Sequence, residues 1–384
     1  MTRFKRRKIA GAVKCMILML VPFCTAGIAK SIPVIKSAVD RMGSISVGGT
    51  EEEAVQKSYV IPHENASEDI LDGKIILSEG YGISAEEFPY EVGLQSPLDM
   101  ASDNPGDKPY PEEDEWAADG VPVVRTTYGE YSGTTYFNLS DGGQVNNKTS
   151  LSNESLIEES RRLPDFTISD TNEPQVLIYH THTTESFEPY VRDNLDAGFN
   201  YRTTDETKNM IMVGNAIQAE LEAQGIGVIH VTEIHDYPSY NGSYGRSRES
   251  IVPILEQYPT IKVALDIHRD AISNSDFAAQ PYIEIDGKEA AQIMIISGCD
   301  DGTLDMPNYM KNFHFACSLQ QQFENDYSGF TRPILFDYRH YNQDLTTGSL
   351  LIEVGSHGNT LEQVQYSGQL IGRSLSNLLN RIKE

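Results

Sequence analysis

Cysteine is nearly absent from this chain. Four occur in 384 residues, and Cys15 and Cys24 fall in an apolar N-terminal stretch. Cys299 and Cys317 remain, too few for a disulfide framework, and are expected as buried, unpaired thiols. Positive charge is the second shortage. There are 30 Lys and Arg against 56 Asp and Glu, a formal net charge of −26, and that argues against a nucleic-acid-binding surface. No P-loop and no G-x-G-x-x-G follows a strand-like run, so a phosphate cradle is missing. A G-x-S-x-G elbow for a serine nucleophile and an H-E-x-x-H helix are missing too. No segment repeats.

The few basic residues are concentrated at the start. Residues 1–50 carry a net +8 and residues 51–160 a net −19. "MTRFKRRK" (1–8) is followed by an apolar run over 9–29, interrupted only by Lys14 and Pro22. About 20 such residues span a bilayer. A basic segment before an apolar one predicts a cytoplasmic N-terminus and a retained single-pass anchor at 9–29, with the rest outside the membrane. Pro22-Phe23 are too bulky for a lipoprotein site at Cys24. Residues 30–172 read as an acidic, weakly ordered extracytoplasmic tether with a small accessory element. "ASDNPGDKPYPEEDEWAADG" (101–120) has little to bury. Short strands are expected near 75–77 and 131–139.

From residue 173 the pattern changes to strand-like runs alternating with helix-like ones. Strands are expected at 176–179, 226–232, 261–268, 281–285, 291–298 and 350–355. Helices are expected at 208–224, 245–258, 308–326 and 360–382. Asp286-Gly287 marks a hairpin. This order predicts an α/β domain over 173–384, a mostly parallel twisted sheet with helices on both faces and one antiparallel element.

Three of these strands end in metal-competent groups. "VLIYHTHTTESFEP" (176–189) releases His180, His182 and Glu185. "VALDIHRDA" (263–271) gives Asp266, His268, Arg269 and Asp270; "LLIEVGSHGN" (350–359) gives Glu353 and His357. The C-terminal ends of parallel strands share one rim, so these residues can converge. Two imidazoles and a carboxylate make a catalytic zinc shell with water in the fourth place. A further carboxylate is then needed to carry the proton, and Glu353, in an apolar strand, has the raised pKa that suits this. His182 is nearer the strand exit than His180 and is the expected ligand; His180 is expected as its support. His235, His314 and His340 read as surface or packing residues.

These motifs, with "HDYPSYNGSYGRS" (235–247) and "GSLLIEVGSHGNTLEQ" (348–363), resemble the stage II sporulation protein P family over about 173–384. That family is similar in turn to zinc-dependent N-acetylmuramoyl-L-alanine amidases, of phosphorylase-hydrolase-like fold. The resemblance places His182 and His268 as Zn2+ ligands and Glu353 as the catalytic carboxylate, with Asn359 retained. Glu185 is expected as the third ligand, with Glu206 as the other choice. Tyr240 and Asn241 offer stacking and hydrogen bonds to substrate; Arg269 offers a grip on a peptide carboxylate, or a counter-charge to Glu353 or Asp270. The resemblance implies cleavage of peptidoglycan between N-acetylmuramic acid and L-alanine, and also of peptide cross-links. It implies septal remodelling during engulfment in sporulation, beside a lytic transglycosylase and a membrane protein of the same machinery. Two other readings fit the same residues: an inactive wall-binding scaffold and a zinc carboxypeptidase of short peptides.

Overall fold

A computed structural model of the chain describes residues 109–171 and 173–384. It also describes three short strands before them: β1 (Tyr59–Val60), β2 (Lys74–Ile76) and β3 (Gly82–Ser84). The expected anchor at 9–29 lies outside the described residues. Among those described, no helix is long and apolar enough to cross a membrane.

The chain continues through β4 (Val123–Thr127), β5 (Tyr136–Asn138), β6 (Gln144–Asn147) and α1 (Asn153–Glu159). Next come β7 (Pro174–Tyr179), α2 (Met210–Ala223), β8 (Gly227–His230), α3 (Ser243–Gln257) and β9 (Val263–Asp270). The hairpin β10 (Ala278–Ile285) and β11 (Lys288–Ala291) precedes β12 (Ile293–Cys299) and α4 (Tyr309–Asp326). The chain closes with β13 (Ile334–Tyr338), β14 (Gly348–Ser356) and α5 (Leu361–Arg381).

Eight strands form the main sheet, in the order β5-β6-β13-β12-β14-β9-β7-β8. β14, β9, β7 and β8 are parallel. β12 runs antiparallel to β14, and β13 and β6 follow β12. The sheet is therefore mixed, with its direction reversing at the β12–β14 seam. The hairpin at Asp286-Gly287, where both residues have positive φ, joins β10 to β11 and not to β12. It belongs to a second sheet, β1-β4-β10-β11.

Alternation along β7 shows why both faces are covered. Val176 and Ile178 enter a core with α2, α4 and α5, while Leu177 and Tyr179 pack with Ile251 and Ile254 of α3. Thr360 caps α5 through a reciprocal pair with Gln363. Gly368 and Gly372 let α5 approach α2 closely: a Cβ on either would lie within 2.9 Å of a carbonyl oxygen of α2.

Residues 109–171, expected in the tether, belong to this fold instead. β6 pairs with β13 and extends the main sheet. Leu156 of α1 is fully buried in the core. Tyr110 and Trp116 pack edge-on against Phe199, at 5.5 and 5.4 Å between ring centroids. The segment is acidic on its solvent side, and several of its large groups are buried against partners distant in sequence, Leu156 and Phe166 in the main core and Tyr128 and Tyr131 beside Ile272 and Phe277. A local reading of composition sees the charge and misses the partners. Cys299 and Cys317 are free and buried.

Candidate functional site

The register of two strands begins the site. Glu353 of β14 sits directly beside His268 of β9, with a bulge between Glu353 and Ser356. Gly355 holds the bulge at φ +64; a Cβ there would lie 2.5 Å from Asn359 Oδ1. Asn359 Oδ1 also accepts the Ser356 N–H at 2.9 Å, so this asparagine braces the loop. From the neighbouring β7, the chain turns at residues 182–185, where the Glu185 N–H donates to the His182 carbonyl at 3.2 Å.

His182, Glu185, His268 and Glu353 line one pocket with Tyr244, Tyr341 and Leu351. All four are at most 7 % exposed. The His182 and His268 rings lie edge to face, 5.1 Å apart. Glu185 Oε2 is 3.7 Å from His268 Nδ1 and accepts the Arg269 backbone N–H at 3.0 Å. Tyr240 stacks on His182 at 4.4 Å and 12°. Behind them, Arg202 bonds Asp236 at 2.7 Å, stands 3.6 Å from Glu185 Oε1 and lies over the Tyr240 ring. Asp236 in turn accepts from the Thr184 N–H and hydroxyl. One buried guanidinium therefore steadies both Glu185 and the ring that backs His182.

The charges follow from this packing. Burial, then His268 and Arg202, hold His182 well below its ordinary pKa, so its ring is neutral. Burial raises Glu185 against Arg269, His268 and Arg202. Burial opposes a charge on His268, but Asp266, 2.8 Å from Nε2, together with Glu185 and Glu353 outweighs it and raises His268 to about 9. Burial, then Asp270, pushes the Glu353 carboxyl up to about 8. Its Oε2 has no hydrogen-bond partner among the described residues.

Zinc is the ion that this donor set would fit. Among the described residues no three His, Cys, Asp or Glu side chains already stand in a ligating arrangement. The donors nevertheless match in kind, and the carboxylates around His268 favour positive charge beside Nδ1. The free space in the pocket, about 20 Å³, is enough for one water-sized particle.

Other expected residues stand elsewhere. His180 turns to the opposite face, with Nδ1 2.9 Å from the Ile267 carbonyl and Nε2 2.9 Å from His230. Arg269 lines the pocket, and its guanidinium donates to the Ser186 and Tyr201 carbonyls at 2.9 and 3.0 Å and to the Asp270 carbonyl at 3.3 Å. Asp270 is paired with buried Arg332 at 2.8 Å. Tyr240 is buried, with His182 stacked on its ring and the Arg202 guanidinium 4.9 Å from the ring centroid. Asn241 is exposed and Glu206 is exposed, neither lining the pocket. His357 is buried against Tyr201, 5.7 Å between rings. Arg202, Asp236 and Arg332 were missed: Arg202 and Arg332 sit outside the motifs, Asp236 lies within 235–247 without an assigned role, and only the fold brings them here.

The stage II sporulation protein P family model matches residues 122–376. The stage II sporulation protein P of Bacillus subtilis is 31 % identical over 201 residues, covering 50 % of this chain and 47 % of that protein. The matched stretch thus spans about half the length of that curated relative. Among solved structures, the CwlD amidase of Clostridioides difficile, in complex with the GerS lipoprotein, is 10 % identical. It covers 54 % of this chain and 99 % of its own, with a TM-score of 0.34. The N-acetylmuramoyl-L-alanine amidase AmiC2 of Nostoc punctiforme is 11 % identical and covers 54 % and 96 %, with a TM-score of 0.33. With the family model matched over 122–376, well over half of its length, this chain belongs to the stage II sporulation protein P family.

Proposed function

We propose that this chain is a zinc-dependent peptidoglycan hydrolase that cleaves the amide between N-acetylmuramic acid and L-alanine, and peptide cross-links by the same chemistry. The observation that carries this reading is one: His182, Glu185, His268 and Glu353 share a buried pocket with room for a single water-sized particle. His182, Glu185 and His268 would hold the ion. Zinc in that place supplies Lewis acidity, polarising the amide carbonyl and bringing a water's pKa to about 7. Asp266 orients His268 from its far nitrogen, and Arg202 with Tyr240 orients Glu185 and His182. Glu353, raised to about 8 and bare at Oε2, takes the proton from the attacking water and delivers it to the leaving nitrogen.

Membership of the stage II sporulation protein P family supports a role in sporulation, and in this reading the work is done at the septal wall during engulfment. In this reading residues 9–29 anchor the chain in the cell membrane with the catalytic part outside. A lytic transglycosylase and a membrane protein of the same machinery act beside it.

The test is product analysis of purified sacculi together with metal content, for the wild type and His268→Ala. The expected result is new amino groups, loss of activity on chelation, recovery with zinc, and neither metal nor activity in His268→Ala. New glycan reducing ends in place of amino groups would contradict amide cleavage. Undiminished wall remodelling by His268→Ala would make the chain a wall-binding scaffold. A preference for soluble stem peptides over sacculi would make it a carboxypeptidase.

A further inference from the structure

One loop away from this pocket lies a larger cavity of about 960 Å³. Ala271 lines the first and Ser273 the second, so their Cα atoms are at most about 7 Å apart. The cavity is formed by three stretches: Asp119–Pro122, residues 195–201, and Ser273–Ser275. Its floor is apolar, with Val121, Leu195, Phe199 and Tyr201. Its charged lining is of one sign only, Asp119 and Asp196, with no Lys or Arg among the lining residues.

The two aspartates differ in how they are used. Asp196 is 7 % exposed and accepts the Ala117 N–H at 2.9 Å and the Gly198 N–H at 2.6 Å. Its role is to shape the wall. Asp119 is exposed and accepts the Ala197 N–H at 3.0 Å through one oxygen. It remains open to a ligand. Arg192, close to this wall, is turned away. Its guanidinium lies over the Trp116 ring at 5.0 Å, donates to the Ala117 and Asn194 carbonyls, and stands 3.5 Å from Glu188.

We propose that this cavity receives the far end of the stem peptide, as a short peptide segment bearing a free side-chain ammonium. The proposal rests on the hydrolase reading above and adds a preference to it. A peptide whose amide is presented at the mouth of the first pocket extends about 3.3–3.6 Å per residue, so two or three residues reach the second. Its methylenes lie along Phe199 and Val121, and its ammonium meets the Asp119 carboxylate.

The chain carries its own reporter. Its single tryptophan, Trp116, packs against two lining residues, Phe199 at 5.4 Å and Tyr201 at 6.3 Å. The experiment titrates the full chain, carrying Glu353→Gln so that nothing is cleaved, and reads Trp116 fluorescence. The probes are a stem tetrapeptide with a free side-chain ammonium and the same peptide Nε-acetylated. The expected result is saturable quenching or enhancement by the first and binding about tenfold weaker by the second, the loss of one charge-assisted contact. Asp119→Asn, which keeps the acceptor for Ala197, should erase the difference. Equal affinity for both peptides, no saturable change with either, or a preference that survives Asp119→Asn overturns the proposal. The readout is independent of hydrolysis. A preference in a chain that releases no amino groups from sacculi would leave this site standing and remove the hydrolase reading. Hydrolysis without a preference would remove the site alone.

Discussion

Gly214 lies inside α2, where alanine would ordinarily be the better residue by about 1 kcal/mol. Here the helix lies against the His180–His230 pair. A Cβ at Gly214 would stand 2.7 Å from His180 Nε2 and closer still to His230 Nε2. Those two nitrogens are 2.9 Å apart and share one hydrogen bond. The methyl group cannot enter without parting them. Overpacking costs about 1–3 kcal/mol, and a buried imidazole left without its partner costs a further 1–3, about. Against the propensity gain, Gly214→Ala should destabilise the fold by about 3 kcal/mol. For a folded region of this size that is a fall in Tm of about 6–12 °C. Urea and thermal unfolding of the wild type, Gly214→Ala, His230→Ala and the double variant give the coupling directly. The cost of the methyl should shrink once the His230 ring is gone. A Gly214→Ala protein with a raised Tm, or a cycle with no coupling, would refute the reasoning.

The same pair makes the fold acid-sensitive. Burial holds His230 down at about 4, and His180 well below its usual value. Between pH 6.5 and 4 the unfolded chain takes up protons that the folded chain refuses, so stability falls as pH falls. His230 alone contributes about 3 kcal/mol across that window; urea midpoints at pH 7 and pH 5 should converge in His230→Ala. Arg332→Met leaves Asp270 charged and buried, and should cost about 3–5 kcal/mol by urea unfolding, much of it recovered by adding Asp270→Asn. Glu353→Gln should lower the turnover of wall substrate by about 10²–10⁴-fold while Tm stays level or rises, because the proton uptake that burial forces on this carboxyl at neutral pH no longer costs stability. On the zinc reading, His182→Ala should lower the zinc bound per chain by elemental analysis and also lower the urea midpoint, since a buried ring stacked on Tyr240 is removed.

What could be read along the chain depended on whether the signal was local. β7, β9 and β14 announced themselves as apolar runs ending in polar clusters, and α5 by its apolar stripe. Their order placed His182, His268 and Glu353 on one rim without any knowledge of contacts. Glu185 is the expected third ligand from its nearness to His182 in sequence; in the structure it lines the pocket, and Glu206 is exposed and outside that lining. Long side chains were least legible. Arg269 reads as a substrate clamp from its neighbours, yet its reach takes it to two carbonyls across the loop. β6, "QVNN", carries no apolar alternation at all. It is a strand because β13 offers it a free row of backbone groups, with Gln144 bonding Tyr131 on both its N–H and carbonyl sides.

That last pairing has a practical consequence. A chain cut before residue 173 would keep every residue of the pocket and still be a poor protein. Losing β5 and β6 strips the flank of β13, whose Ile334, Leu335 and Phe336 are buried in the intact fold. An apolar strand with unsatisfied backbone on one side invites another copy to pair with it. Such a fragment should self-associate in light scattering, whereas one beginning near residue 109 should stay dispersed.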